Sequence, residues 1–203
     1  FLSDKLTFCI KQSYDVLEDS VDVHIQNFCN FKRYDYSENN KTITTWLVFD
    51  PNHPNAIMGN NIKCDMMIPI YRNNGRMEET IAEAGDFESM LIQKSFARPW
   101  GPGCMYELAI PLAVYSGCKK IVTVGWDIGD LDKTEENKSM FQEHFYGGED
   151  TVEFGVTQTS HREITSVANS TKGIFYFLKD LGIDWEMSSD RNPGYKGIRR
   201  IKL

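Results

Sequence analysis

Three carboxylates, Asp127, Asp130 and Asp132, stand within six residues of one another in "GWDIGDLD", directly behind an apolar run. Oxygen ligands at that density suit a hard divalent cation such as Mg2+. Two-residue spacings of acids are common in surface loops, and a solvated acidic turn is the favoured reading of Asp130 and Asp132, with a metal site as the alternative. Asp127 differs because it follows the apolar run immediately, where a carboxylate is well placed to fix a ribose or a loop backbone. The second residue with chemistry to offer is His161 in "TSHREI". Ser160 and Glu163 form an S-x-x-E capping box, which predicts that His161 opens a helix at about its first position. The positive end of the helix dipole opposes an imidazolium there and keeps the ring neutral near pH 7, able to take a proton. A histidine that merely faces solvent also suits that position.

A backbone site is suggested by "RPWGPGCMYELA". Pro102 fits the first position of a helix with Gly101 as its cap, and Gly101 and Gly103 let a ligand approach the main chain closely. The free N–H groups of such a first turn favour a phosphate or carboxylate; a plain Gly-Pro-Gly turn is the simpler alternative. Of the remaining histidines, His24 falls inside a strand pattern and reads as structural, whereas His53 and His144 fall in loops. The sequence contains no P-loop, no HExxH and no GxSxG.

These residues need elements to bring them together. β-rich runs occur at 6–10, 21–28, 43–50, 62–70 and 119–127, bounded by Asn, Gly, Pro or charged clusters. The last is almost continuously apolar, as a strand covered on both faces would be, and this favours a parallel sheet. Helical spacing links Met105, Leu108, Ala109, Leu112, Ala113 and Ser116, with Gly117 as the stop and Pro111 as an expected kink. It also links Ile164, Val167, Ala168, Thr171, Ile174, Phe175, Leu178 and Leu181, and a further helix is expected in 76–95. Strands alternating with helices predict an α/β fold, a single Rossmann-like three-layer sandwich with a mainly parallel sheet. Ligands of such sheets bind beyond the carboxyl ends of the strands. Here those ends are Asn27, Asp50 and the Gly125-Trp126-Asp127 step. The polar stretch 128–160 is expected to be a lid or binding loop.

The bulk properties narrow the function classes. A chain of 203 residues suffices for one domain with a real core. Its net charge of -7 argues against broad binding to nucleic acid or anionic lipid. The basic tail "NPGYKGIRRIKL" is the local exception, readable as solvated strand-edge charge or as a contact for a phosphate or anionic surface. No apolar run approaches the roughly 20 residues of a membrane span. Five cysteines without a CxxC suggest free thiols in a reducing compartment, and with no signal-like N-terminus the expected location is the cytoplasm.

Two blocks carry a resemblance. "IQNFCNFKRYDYSENNKTITTWLVFDPN" and "RPWGPGCMYELAIPLAVYSGCKKIVTVGWD", followed by a loop and "TSHREITSV…FLKDLGIDW", resemble in order the bacterial CMP-sialic acid-dependent sialyltransferases and the related Kdo transferases. The resemblance implies a glycosyltransferase of polysaccharide biosynthesis that passes a sugar from a CMP-activated donor to a glycan hydroxyl. It implies one nucleotide-sugar-binding domain over 1–203 that starts just after the family's first strand and Gly-rich turn. Asn27, Asp50, Gly101, Gly103, Gly125 and Trp126 would hold the nucleotide, with His161 and Asp127 at the catalytic centre and His161 as the base. No cofactor is required on this reading, although Asp130 and Asp132 leave room for Mg2+, and an assembly of identical subunits is compatible with it. The family's tyrosines shortly after the "G-x-D" are replaced here by Ile128 and Gly129. Tyr146, Arg98, Lys133 or Lys138 would have to serve the leaving phosphate instead. A second resemblance, to hydroxymethylpterin diphosphokinase-like proteins, implies ATP and Mg2+ chemistry on the three aspartates. A non-catalytic nucleotide-binding module is the third reading.

Overall fold

The computed structural model describes residues 2, 4–27, 34–37, 44–49, 64–69, 105–125, 161–188 and 195–203. Among the described residues seven strands lie in two sheets, and every pairing is parallel. The first sheet has the order β1 (Phe8–Ile10), β2 (Val23–Asn27), β3 (Thr44–Phe49), β4 (Met66–Pro69). The second has the order β5 (Lys120–Val124), β6 (Asp184–Ser188), β7 (Arg199–Arg200). Parallel neighbours cannot be joined by a two-residue hairpin. Between β1 and β2 the return contains α1 (Tyr14–Leu17), flanked by tight helical turns.

The helix before β5 explains how Pro111 is tolerated. Met105–Ala109 forms a wide π turn and the α-helix proper, α2, runs Ile110–Tyr115. Pro111 stands in the first turn of α2, directly after the π turn that interrupts the regular ladder. Gly117, at φ 78°, follows as the left-handed stop expected of it. Leu108 and Ala109 pack on Ile25 of β2, while Ile110 and Ala113 pack with the second sheet; Phe8 and Met105 touch both clusters. This helical segment thus lies against both sheets.

The long helix α3 (His161–Asp180) begins at the residue that the capping box predicts. Thr171, Ile174 and Leu178 of its apolar face are fully buried. Ile174 and Leu178 join Ile110, Ala113, Ile121, Ile183, Trp185, Met187 and Ile198 in the largest core cluster among the described residues. Its end is tied down: Ile183 N–H donates to the Leu178 carbonyl at 2.8 Å, and Asp184 N–H donates to the Lys119 carbonyl at 3.0 Å. Buried Trp185 directs its indole N–H to Thr123 Oγ1 at 3.3 Å, so its polar atom is not stranded.

One expectation about β5 needs correction. Ile121 and Thr123 are buried, but Val122 and Val124 are 38% and 57% exposed. The apolar run cannot by itself tell a strand covered on two faces from one covered on a single face, because valine is chosen for strand backbone as well as for burial. Strands β6 and β7 were not apparent from the pattern. Glu186 stands in the middle of β6, held by Lys120 at 2.7 Å and Arg199 at 3.1 Å from the strands on either side. β7 carries two arginines at an exposed edge, in keeping with the strand-edge reading of the basic tail.

Candidate functional site

The carboxyl ends of the strands are the place to look for a site in a parallel sheet. β2 ends at Asn27, paired in register with Val48 of β3, and β3 ends at Phe49, immediately before Asp50. β5 ends at Val124, and Gly125 follows at φ 65°, its N–H 3.4 Å from the Ser188 carbonyl at the end of β6. A side chain would strain that left-handed conformation, so glycine here fits a sharp exit from the strand.

His161 is the first residue of α3. The C-terminus of α3 is fixed beside Lys119, at the start of β5. Its 20 residues, packed along β5 and β6 through Ile174 and Leu178, span about 30 Å at 1.5 Å per residue. A five-residue strand covers about 17 Å. The amino end of α3, with His161, is the end remote from Lys119. Among the sequence-predicted residues, Asn27, Gly125 and His161 fall at such element ends. Asp50, Gly101, Gly103, Trp126, Asp127, Asp130 and Asp132 lie outside the described residues, as do the 76–95 helix and the 128–160 stretch. Among the described residues no group of three or more His, Cys, Asp or Glu is arranged to hold a metal ion.

A polar cluster behind the carboxyl end of β1 was not foreseen. Cys9 and His24 are register partners on β1 and β2, and both are buried. His24 Nε2–H donates to the Lys11 carbonyl at 2.7 Å, because a carbonyl can only accept. Nδ1 then accepts the Tyr36 O–H at 2.6 Å. Tyr14 stacks on the His24 ring with centroids 5.0 Å apart, and Tyr34 meets it edge-on at 4.9 Å. Burial pushes the His24 pKa below its usual 6.5 and keeps the imidazole neutral, against a smaller opposing contribution from the Lys11 bond.

The anchored turn is an unusual one. Lys11 takes φ 53°, a region that non-glycine residues seldom occupy. Ser13 Oγ–H donates to the Ile10 carbonyl at 2.6 Å, and Oγ accepts Ile10 N–H at 3.1 Å. With that hydroxyl proton committed, the Cys9 thiol is the donor in its 3.1 Å contact with Ser13 Oγ. Burial raises the Cys9 pKa to about 11, so the thiol is a packed donor and not a thiolate nucleophile. Only the alternation of Cys9 and His24 within short strands hinted at this cluster; the tyrosines that complete it come from outside the strands.

Compared with protein-family models, with curated proteins and with solved structures, the chain matches none of them. Among the described residues no helix is long and apolar enough to cross a membrane.

Proposed function

We propose that the chain is a glycosyltransferase that moves a sialic acid-like or Kdo-like sugar from a CMP-activated donor to a glycan hydroxyl. The two parallel sheets are, on this reading, halves of one doubly wound Rossmann-like sheet. The chain moves outward from β1 to β4, returns through the helix at 105–115, and moves outward in the other direction from β5 to β7. The reversal between β1 and β5 would be the switch point, where nucleotides bind. Support comes from the 105–115 helix, which packs on β2 through Leu108 and on the second sheet through Ile110.

The observation that carries the chemistry is His161 as the first residue of a 20-residue helix whose carboxyl-terminal turns pack on β5 and β6 through Ile174 and Leu178. A neutral imidazole at a helix amino end takes the proton from the acceptor hydroxyl as that oxygen attacks the anomeric carbon. The bond to the CMP phosphate breaks as the new glycosidic bond forms, and positive charge develops on the sugar in the transition state. Asn27 and the Asp50 region would hold the nucleotide from the ends of β2 and β3, and Gly125, Trp126 and Asp127 from the end of β5. Backbone at Gly101 and Gly103 would approach the phosphate. Mg2+ at Asp130 and Asp132 is not needed for these steps.

The direct test is His161→Ala. Transfer from the CMP-sugar should fall by at least about a hundredfold, the usual share of a general base, while CMP affinity changes less than about threefold. Equal losses in transfer and in CMP affinity would remove His161 from the role of base.

A further inference from the structure

The C-terminal quarter of α3 carries an aromatic group that the proposed chemistry does not use. Phe175, Tyr176 and Tyr195 meet one another with ring centroids 5.2 to 5.5 Å apart. The Tyr176 and Tyr195 hydroxyls share a hydrogen bond of 2.7 Å, and Tyr176 is 44% exposed. Phe175 is anchored in the main core cluster. Tyr195 is fixed from the other side: its ring lies where a Cβ on Gly197 would stand, with Cδ1 and Cζ at 2.9 Å from that position. Glycine at 197 thus admits the folded-back ring, and the pair of tyrosines is held in place before any ligand arrives.

The surroundings are cationic in an acidic protein. Lys172 and Lys179 lie four residues before and three residues after Tyr176, on the same face of the helix, and Lys196 adjoins Tyr195; all three are exposed. Residues 195–203 hold four basic residues and no acidic one, whereas the whole chain carries -7. Asp180 is the one carboxylate on that stretch of helix face. Tyrosine rings supply flat apolar contact and hydroxyls for hydrogen bonding, and the lysines supply point charges about 10 Å apart along the helix.

We propose that this platform is an exosite for an oligosaccharide bearing carboxylates, a distal part of the acceptor. The pyranose C–H faces would rest on Tyr176 and Tyr195 while carboxylates meet Lys172, Lys179 and Lys196. The choice of a carbohydrate rests on the glycosyltransferase reading; the choice of an anionic one rests on the lysines. Tyr176 is fifteen residues along the helix from His161, roughly 22 Å away. The platform therefore selects long acceptors and leaves the transfer step alone.

The probe is a galacturonic acid oligomer of ten or so units, titrated calorimetrically and followed by tyrosine-ring NMR shifts, with a neutral malto-oligomer, oligoglutamate and oligothymidylate as controls. CMP affinity is measured on the same samples, so a failure of the nucleotide reading is seen separately. The expected result is binding of the galacturonate in preference to all three controls. Tyr176→Ala should weaken it about tenfold, and Lys172→Gln with Lys179→Gln should weaken it by a similar factor, each without a change in thermal midpoint or in CMP affinity. Because both sites are exposed, these variants should fold; a Tyr176→Phe protein that keeps the ring and retains most of the affinity would support the stacking contact. Binding of oligothymidylate or oligoglutamate in place of the galacturonate, unchanged affinity in both variants, or no binding of any probe overturns the proposal.

Discussion

The core beneath β5, β6 and α3 and the cluster around His24 are both buried, yet different forces hold them. The first is almost wholly apolar, with Ile110, Ile121, Ile174, Leu178, Trp185, Met187 and Ile198 in mutual contact. Removal from water supplies its stability, and the loss of any member leaves a cavity. The second is a set of polar side chains, Cys9, Ser13, His24 and Tyr36, each with a hydrogen-bond partner in a buried setting. Here the net gain per bond is small, while the cost of breaking one is large. The apolar core should therefore respond to side-chain volume and ignore pH. The polar cluster should respond to pH at both ends of the scale.

Several substitutions and titrations separate the two. The largest effect is expected for Leu178→Ala, which removes a fully buried side chain and should cost about 4 kcal/mol by denaturant titration, with little dependence on pH between 6 and 9. A loss below about 1 kcal/mol would mean that the described core does not carry the fold.

Next comes the alkaline limb of the polar cluster. The Cys9 thiol ionises near 9.0 when unfolded and only near 11 in the fold. The folded state thus holds the proton longer, and its contribution is complete below pH 9 and lost as the pH rises toward 11. A two-unit displacement corresponds to about 3 kcal/mol. Tyr34 and Tyr36, whose hydroxyls burial also pushes upward, add to the same limb. Cys9→Ala should flatten the pH 9 to 11 slope without abolishing it, and an unchanged slope would contradict the assignment.

A smaller effect is expected for His24→Leu. It strips the Lys11 carbonyl and the Tyr36 hydroxyl of their His24 bonds and should cost about 2 kcal/mol near pH 7. The same change should remove an acid limb. The folded His24 has a depressed pKa, so its contribution is complete above 6.5, the unfolded value, and is lost as the pH falls below it toward the folded one. Retention of that limb in His24→Leu would assign it to another group.

The smallest effect belongs to Glu186→Gln. The Lys120 ammonium, donating at 2.7 Å, holds the Glu186 carboxyl below its usual range, with Arg199 adding to it. This stability is present above the usual carboxylate range and lost as the pH drops through the depressed one. The thermal midpoint should fall less than in His24→Leu, and the difference from the parent should shrink in about 1 M salt, where screening acts within about 3 Å.

Periodicity made the apolar half legible. Leu108, Ala109 and Ala113 before β5, and Thr171, Ile174 and Leu178 in α3, recur at helical spacing and are buried. The alternation of helices and strands pointed to parallel pairing. Strand β6 escaped because Asp184 and Glu186 interrupt its apolar residues, and only the cations on the neighbouring strands make Glu186 acceptable there. The exposed face of β5 escaped because valine does not report which side is covered. The His24 cluster was illegible for a different reason: Tyr34 and Tyr36 reach it from outside any periodic segment, and a bond such as Tyr36 to His24 leaves no pattern in the chain. Of the candidate site, the ends of β2, β5 and α3 could be read in advance at Asn27, Gly125 and His161, because strand exits and helix caps have local signatures.

On the glycosyltransferase proposal, the carboxyl edge of these parallel strands takes a cytidine nucleotide. Calorimetric titration of the protein with CMP, CDP, ATP and UDP, each with Mg2+ and again with a chelator, tests it most directly. CMP is expected to bind in preference to ATP and UDP, with no weakening by the chelator. Binding of ATP that disappears with the chelator, together with no response to CMP, would contradict it and favour pyrophosphoryl transfer on Asp127, Asp130 and Asp132.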